Sequence, residues 1–337
     1  MDGKRLTISD IARMAQTSTA TVSHYLNGKY ERMSPSTRER VAKVVSETGY
    51  VPSAQAKGLA RRHSQVIAVL ILNGTNHWAG EIYSGIERVA LEAGYQTVIC
   101  NTHFDPTAER AALDKMLSLG VDGFIIQPTS QHRAVRRRLE DLNKPFVFFD
   151  YGYNDMNCTW VRTDLYEGVY DAITACVEAG YEHFVMVAAR ALETRSRIER
   201  TQSMVDALAE HKLSCQKLEL KEGELDSDLL ARQLDELIDK DKRTLVFCPH
   251  QWALGRVVKA LQAKRALIPE RIGILGINGT EWSDLVVPQV STVVEPIVRE
   301  GELACKLLLS QLDGTLGAPV QHVLPCETRW LDSIRKP

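Results

Sequence analysis

A group of small polar residues near the N-terminus could read the edges of DNA bases. These residues are Thr19, Ala20, Thr21, Ser23 and His24. They surround an apolar stripe formed by Val22 and Leu26, so they face outward if the segment is helical. A helix that only covers a core usually carries long charged residues there, whereas small hydrogen-bonding side chains let a helix enter a major groove.

Three short helices would position these residues. The capping pattern predicts them from Thr7 to Ala15, from Ser18 to Gly28 and from Ser34 to Gly49. Thr7, Ser18 and Ser34 can cap the free N–H groups at the helix starts, and glycine ends the second and third helices. Short helices in this arrangement predict a helix-turn-helix unit.

The charge distribution also separates this segment from the rest of the chain. Residues 1–62 carry 11 Lys and Arg against 5 Asp and Glu, and the other 275 residues carry 30 against 38. This asymmetry is typical of a phosphate-binding module joined to a part that does not bind phosphate.

The composition excludes several classes of protein. A chain of 337 residues predicts two or three domains, and 44% hydrophobic with 25% charged residues is typical of globular proteins. We expect a cytoplasmic protein, since the sequence shows no apolar run long enough for a membrane span and no secretory signal. The seven cysteines form no C-x-x-C pair, so we expect free thiols and neither metal nor cofactor.

Apolar runs and helical patterns alternate from Ser64 onward. Buried strands are predicted at VIAVLIL, QTVICN, GFIIQP, FVFFD, FVMVAA, TLVFCP and IGILGIN, with helices between most of them. Continuous apolar strands alternating with helices predict parallel sheets covered on both faces. The pattern restarts near residue 165, which predicts two lobes with a ligand cleft at the carboxyl ends of the strands.

The N-terminal stretch LTISDIARMAQTSTATVSHYLNG, followed by SPSTRERVAKVVSETGYVPSAQAKGLARR, resembles the signature of the lac repressor family. The resemblance implies an α/β protein. Its parts are a helix-turn-helix domain at 1–51, a hinge at 52–63, and two Rossmann-like lobes similar to periplasmic sugar-binding proteins at 64–337. Lobe one is expected at about 64–160 plus 293–325, and lobe two at about 161–292 plus 326–337.

The resemblance also implies DNA-contacting roles. Thr19, Ala20 and His24 would read bases, and Leu59 of the hinge would enter the minor groove. Phosphate contacts are expected from Thr7, Ser18, Thr21, Ser23 and Asn27. Gln16 departs from the family, which usually has Gly in this turn, and a positive φ there would cost about 1 kcal/mol relative to Gly.

In the lobes, the resemblance implies an effector site at the strand ends. The expected contacts are His77, Trp78, Tyr151, Asp164, Arg195, Ser196, Arg200, His250 and Asn278. Arg200 would clamp ligand oxygens. The loop Asn73–Gly80 would cap the ligand, with Trp78 at its tip as a stacking platform.

Two departures from the family point to an anionic effector. Pro249-His250 and Asn278 stand where acidic residues are usual, while Arg190, Arg195, Arg197 and Arg200 crowd the same rim. Because arginine pairs bidentately with carboxylate or phosphate, we expect a sugar acid or a sugar phosphate. A neutral sugar or a purine remains the alternative.

The sequence therefore predicts a transcription regulator, expected to repress a carbohydrate-utilisation operon. Its partners would be a pseudo-palindromic double-stranded operator, a small effector and a second copy of the chain. No membrane contact is expected. A plain solute-binding protein is the alternative from another class. An enzyme is not expected, since no nucleophile lies beside a predicted base and the spacing of Gly273, Gly276 and Gly279 is not the dinucleotide fingerprint.

Overall fold

The computed structural model describes residues 6–51, 64–151, 157–189, 195–220 and 226–335, without the side chains of Arg195 and Ser196. The predicted hinge with Leu59, as well as Arg190 and those two side chains, therefore lies outside the described residues. The chain divides into two compact units, Met1–Ser64 and Gln65–Pro337.

The described part of the first unit contains three α-helices, as the capping residues predict. They are α1 (Ile8–Met14), α2 (Thr19–Leu26) and α3 (Pro35–Thr48). Ser18 and Ser34 accept hydrogen bonds from the backbone N–H groups of Thr21 and Thr37, and Gly49 ends α3 in the left-handed region with a φ of 60°. The helices enclose a small core of Ile11, Ala12, Ala15, Val22, Val41 and Val44. The turn after α1 places Gln16 at a φ of 50°, the strained conformation anticipated from the sequence.

The second unit contains two six-stranded sheets with helices on both faces, which confirms the predicted fold class. The first sheet comprises β1 (Val66–Ile71), β2 (Gln96–Asn101), β3 (Gly123–Ile126), β4 (Phe146–Phe149), β5 (Trp160–Asp164) and β11 (Gln321–Pro325). The second comprises β6 (His183–Ala189), β7 (Cys215–Leu220), β8 (Thr244–Cys248), β9 (Ile272–Ile277), β10 (Ser291–Val294) and β12 (Glu327–Arg329).

The strand orders are β11-β5-β4-β3-β1-β2 and β12-β10-β9-β8-β6-β7. Every pair is parallel except β10 with β12. The helices around the first sheet are α4 (His77–Glu92), α5 (Pro106–Leu119), α6 (His132–Asp141) and α12 (Ile297–Leu312). Those around the second are α7 (Leu165–Glu178), α8 (Arg195–Glu210), α9 (Ser227–Leu237), α10 (Gln251–Ala260) and α11 (Glu281–Leu285).

The chain changes sheets three times, after β5, after β10 and between β11 and β12. We call the first sheet with its helices lobe one and the second lobe two. Because the strands are parallel and doubly covered, their carboxyl ends form the edges at which ligands bind in such sheets. Within the described residues, no helix combines the length and the apolar character that crossing a lipid bilayer requires.

Two helices of lobe one touch backbone to backbone. A Cβ on Gly85 of α4 would lie 2.1 Å from the carbonyl oxygen of Val298 in α12. A Cβ on Gly301 of α12 would lie 2.2 Å from the carbonyl oxygen of Ile82 in α4. Side chains at these two positions would force the helices apart, so glycine sets their close crossing. This crossing fixes the first turns of α12, which contribute Glu300 to the site described below.

Candidate functional site

The outer face of α2 carries the residues predicted to read DNA. Thr19 and Ala20 are exposed and His24 is half-buried, while Val22 anchors the helix with 0% exposure. Short side chains on an anchored helix allow a close approach to another surface. The structure thus presents the three predicted base-reading residues on a rigid element, and their contact with DNA stays a prediction.

The predicted phosphate contacts cluster at helix ends. Thr7 and Asp10 form a capping box at the start of α1. The Ser18 hydroxyl accepts from the Thr21 N–H at 3.1 Å, and the two hydroxyl oxygens are 2.9 Å apart. At the other end of α2, the Asn27 side chain donates to the Ser23 carbonyl oxygen at 2.8 Å. These side chains therefore stabilise the helix ends, whatever contact they make with a phosphate.

Aromatic and basic residues organise the loop after α2. The guanidinium carbon of Arg38 lies 4.0 Å from the ring centre of Tyr30, and the rings of Tyr25 and Tyr30 are 5.7 Å apart. Arg40 donates to the carbonyl oxygen of Ala15 at 3.3 Å, which joins α3 to the end of α1. The Tyr30–Arg38 pair cannot be predicted from the sequence, because nothing in the spacing shows which basic side chain covers the ring.

A cavity of about 680 Å³ lies between the carboxyl ends of the two sheets in the second unit. Lobe one lines it with residues that include His77, Trp78, Phe104, Gln127 and Asp150. Lobe two lines it with residues that include Arg197, Arg200, His250, Trp252, Arg256, Lys259, Asn278, Thr280 and Trp282. The volume falls within the range of small-molecule sites.

Arg200 and Asn278 converge on a buried carboxylate at the inner end of this cavity. Glu295 lies in the segment that follows β10, and it is 4% exposed. Its Oε2 lies 3.5 Å from Nη2 of Arg200 and accepts a hydrogen bond from the Asn278 amide. Its Oε1 accepts from the Thr163 hydroxyl at 2.7 Å. The charge of Arg200 is therefore already partly matched by Glu295.

Asp150 forms the lobe-one wall of the inner end. Its Oδ2 accepts from the Gln127 amide at 2.7 Å, and its backbone N–H donates to Oε1 of Glu300 at 2.8 Å. Burial and the nearby charge of Glu295 raise the pKa of Asp150 to about 6. Burial and the neighbouring Asp150 carboxylate raise the pKa of Glu300 well above its usual value.

His250 lies opposite, at the start of α10, with 2% exposure. Burial, together with the positive charges of Arg200 and Arg197, lowers the pKa of His250 to about 3. The ring is therefore neutral at pH 7 and adds no charge to the cavity. Its Nε2 can form a hydrogen bond with a ligand, as donor or acceptor according to the tautomer.

Several polar atoms of the lining residues are buried and have no hydrogen-bond partner among the described residues. They are Trp78 Nε1, Arg200 Nε, His250 Nε2, Trp252 Nε1 and Thr280 Oγ1. The first two and the Trp252 indole can only donate. Because an unpaired buried polar group costs about 1–3 kcal/mol, a ligand that bonds these atoms would gain stability here, and the three N–H donors favour acceptor atoms on it.

Of the residues predicted to contact the effector, His77, Trp78, Arg200, His250 and Asn278 line the cavity. Trp78 is not at a loop tip, because Asn76 caps α4 and the helix already begins at His77. Its ring is 9% exposed and packs 6.2 Å from that of Phe149, so its face is not an open stacking platform.

Tyr151 and Asp164 do not line the cavity. Tyr151 is 1% exposed and packs with Phe148 and Trp160 in the core of lobe one. Asp164 caps α7 by accepting from the Glu167 N–H at 3.4 Å. Other residues that line the cavity were not predicted from the sequence, among them Gln127, Asp150, Trp252, Arg256 and Lys259. Two of these residues could have been predicted from their place in the sequence, because Gln127 and Asp150 directly follow the neighbouring strands β3 and β4.

Comparisons with known proteins agree with this architecture. Residues 7–53 match the family described as bacterial regulatory proteins, lacI family, and residues 173–333 match a periplasmic binding protein-like domain. The transcriptional repressor PurR of Vibrio atlanticus (strain LGP32) is 29% identical, over 91% of this chain and 92% of its own. The transcriptional regulator KdgR of Bacillus subtilis (strain 168) is 26% identical, over 93% of each chain.

Solved structures show the same fold. The lac repressor dimer bound to operator and the anti-inducer ONPF superposes with a TM-score of 0.80 at 22% identity, covering 98% of this chain and 99% of its own. A LacI family regulator from Enterococcus faecium with bound ribose gives 0.68 at 21% identity, covering 81% and 99%. These relatives are named as regulators and not as enzymes. This chain therefore carries a lacI-family DNA-binding domain joined to a periplasmic binding protein-like domain, and over its length it is similar to DNA-binding transcription regulators.

Proposed function

We propose that this regulator binds a pseudo-palindromic operator as a homodimer and represses carbohydrate-utilisation genes under the control of an anionic sugar derivative, a sugar acid or a sugar phosphate, bound in the cavity. The proposed organisation is a DNA reader at 1–51, a hinge at 52–63 and an effector-binding and dimerisation region at 64–337. The proposed site of action is within the cell.

The DNA-reading part of the proposal rests on the exposed face of α2 and on the positive charge of the first 62 residues. Binding of this kind releases counterions, so affinity for a random duplex should fall a thousandfold or more between 50 and 200 mM salt if about six or more phosphates are contacted. A salt-independent affinity, or none, would contradict the proposal.

Selection of tight-binding sequences from a random pool tests the operator and the dimer together. We expect two inverted half-sites in the selected sequences. His24→Ala should weaken the discrimination between bases by about 1–3 kcal/mol at each position that His24 reads. Ser46→Ala, on the exposed face of α3, is the control and should leave the base preference unchanged. A single half-site in the selected pool would argue against dimeric recognition.

The effector class rests on one observation, the excess of cations in the cavity wall. Arg197, Arg200, Arg256 and Lys259 line it, and Asp150 is the one carboxylate among the described lining residues. Arginine and lysine at a partly enclosed site bind carboxylate and phosphate groups through charge-assisted hydrogen bonds. The unpaired N–H donors of Trp78, Arg200 and Trp252 favour the same acceptor-rich ligands.

Thermal unfolding of the full chain tests this choice. The panel comprises sugar acids, sugar phosphates, neutral sugars and purines. A ligand at about 100 times its dissociation constant should stabilise the protein by about 2.7 kcal/mol, a rise of roughly 5 °C or more in Tm. Neutral sugars are the second candidate, because the Asp150 carboxylate can accept hydrogen bonds from sugar hydroxyl groups. A shift confined to neutral sugars or purines would refute the anionic effector.

A further inference from the structure

The cavity extends outward from its inner end along one face of α10. The α10 residues that line it are Gln251, Trp252, Gly255, Arg256 and Lys259. Their spacing places them on a single face of the helix over two turns. Thr280 and Trp282, at the start of α11, form the opposite wall. A Cβ on Gly255 would lie 3.6 Å from the Trp282 ring, an ordinary van der Waals distance, so α10 and α11 face each other closely at this point. We call this passage the α10–α11 groove.

The groove is cationic, unlike the inner end. Arg256 and Lys259 are exposed one turn apart, and neither has an ion-pair or hydrogen-bond partner among the described residues. No carboxylate belongs to the part of the lining contributed by α10 and α11. At the inner end, in contrast, Asp150 lines the wall and Glu295 engages Arg200. An anion is therefore attracted more strongly to the groove than to the inner end, where the carboxylates of Asp150 and Glu295 offset the charge of Arg200.

Buried donors in the same wall point to a ligand and not to a solvated helix face. Trp252 Nε1 and Thr280 Oγ1 are covered and have no partner in the described structure. His250 stands at the N-cap of α10 with 2% exposure, its Nε2 is likewise unpartnered, and no side chain caps the helix. The positive end of the helix dipole is thus left open to the cavity.

The direction of helical side chains brings these features together. Side chains on an α-helix lean towards its N-terminus, so Arg256 extends over the turn that contains Trp252. A carboxylate or phosphate placed there meets the guanidinium and the start of α10. Arginine can bind either group through two parallel hydrogen bonds, and lysine adds a point charge.

We propose that the α10–α11 groove binds the anionic group of the effector, with Arg256 and Lys259 as its cationic ligands. The hydroxyl-bearing part of the effector lies at the inner end, beside Asp150 and Asn278. This assignment rests on the anionic effector proposed above. It gives Arg200 a different role from the anion clamp expected from the sequence, because its charge is shared with Glu295.

The test compares the wild-type chain with an Arg256→Gln/Lys259→Gln variant. The matched control is Arg133→Gln/Arg137→Gln, which removes the same charge from exposed positions of α6 outside the cavity. Dissociation constants are measured by calorimetry for a panel of hexonates, for hexose 6-phosphates and for the neutral hexoses. Separate arms for carboxylates and phosphates distinguish the two sources of negative charge.

For the anions that bind the wild type, we expect the groove variant to weaken binding at least tenfold and the control variant to leave it unchanged. Any binding of neutral hexoses should be equal in all three proteins. Equal affinity of the wild type and the groove variant for an anion would overturn the groove assignment and leave the anionic effector standing. If the wild type binds none of the anions, both the groove and the effector class are refuted.

Discussion

Asp150 offers a direct test of the electrostatics at the inner end of the cavity. Burial and the charge of Glu295 raise its pKa from 3.8 to about 6. The folded state therefore holds this proton more tightly than the unfolded chain does. The resulting stabilisation is complete below pH 3.8, and it is lost as the pH rises through 6. At pH 7.5 the ionised carboxylate destabilises the folded protein relative to a neutral group.

The magnitude follows from the shift. A rise of the pKa from 3.8 to about 6 corresponds to about 3 kcal/mol at most. Because the side chain is only partly buried, solvent screening should reduce this value, and we expect about 1–2 kcal/mol. Asp150→Asn removes the charge but keeps an oxygen that can accept the Gln127 hydrogen bond. The variant should therefore melt about 2–8 °C above the wild type at pH 7.5.

The assay is thermal unfolding of the full chain at pH 7.5, 6 and 4. The gain from Asp150→Asn should shrink as the pH falls and vanish near pH 4, where the wild-type carboxyl is also neutral. Asp171→Asn, on an exposed position of α7, serves as the control and should change the Tm little at any of these pH values. An unchanged or lower Tm at pH 7.5, or a gain as large at pH 4, would refute the proposed repulsion.

Three further changes test other parts of the structure. Gln16→Gly should relieve the φ of 50° and stabilise the first unit by about 1 kcal/mol, measured by amide hydrogen exchange, whereas Gln16→Ala should not. Gly85→Ala should destabilise lobe one by about 1–3 kcal/mol, because the added Cβ would lie 2.1 Å from the carbonyl oxygen of Val298. An unchanged Tm in thermal unfolding would show that α4 and α12 can separate without cost. The pKa of His250 is lowered from 6.5 to about 3, so the protein should keep its stability above pH 6.5 and lose about 1 kcal/mol at pH 5.5. His250→Gln should therefore unfold less readily in acid than the wild type, and an equal acid sensitivity of the two proteins would contradict this.

Most elements were predictable because their patterns are local. Strands buried on both faces are continuous apolar runs, and capping residues mark the helices of the first unit. Five of the twelve described strands were missed, namely β5, β7, β10, β11 and β12. In β7, for example, half of the residues are exposed because the strand lies at the edge of its sheet, so it shows no continuous apolar run. The start of α4 was missed too, because Gly80 in its first turn suggested a loop, whereas Asn76 caps the helix by accepting from the Ala79 N–H.

The site was less predictable, and Tyr151 shows why. Side chains alternate along a strand, so Tyr151 should share a face with Phe149. Asp150 instead adopts a φ of 45°, which turns the chain and packs Tyr151 against Phe148. The carboxylate of Asp150 then faces the cavity. The alternation of side chains along a strand does not reveal where a residue other than glycine adopts a positive φ.

The buried carboxylate of Glu295 connects the two lobes at the inner end of the cavity. It lies where the chain returns from lobe two to lobe one, and it accepts hydrogen bonds from Thr163 in β5 and from Asn278 after β9. Five residues later, Glu300 accepts from the backbone of Asp150. A ligand that binds Arg200 or Asn278 must compete with Glu295 for them, and it thereby alters the contacts of the segment that joins the lobes. One buried carboxylate beside the cavity thus joins Thr163 of lobe one to Arg200 and Asn278 of lobe two, so a ligand that binds either of these two residues meets a group that also holds the other lobe.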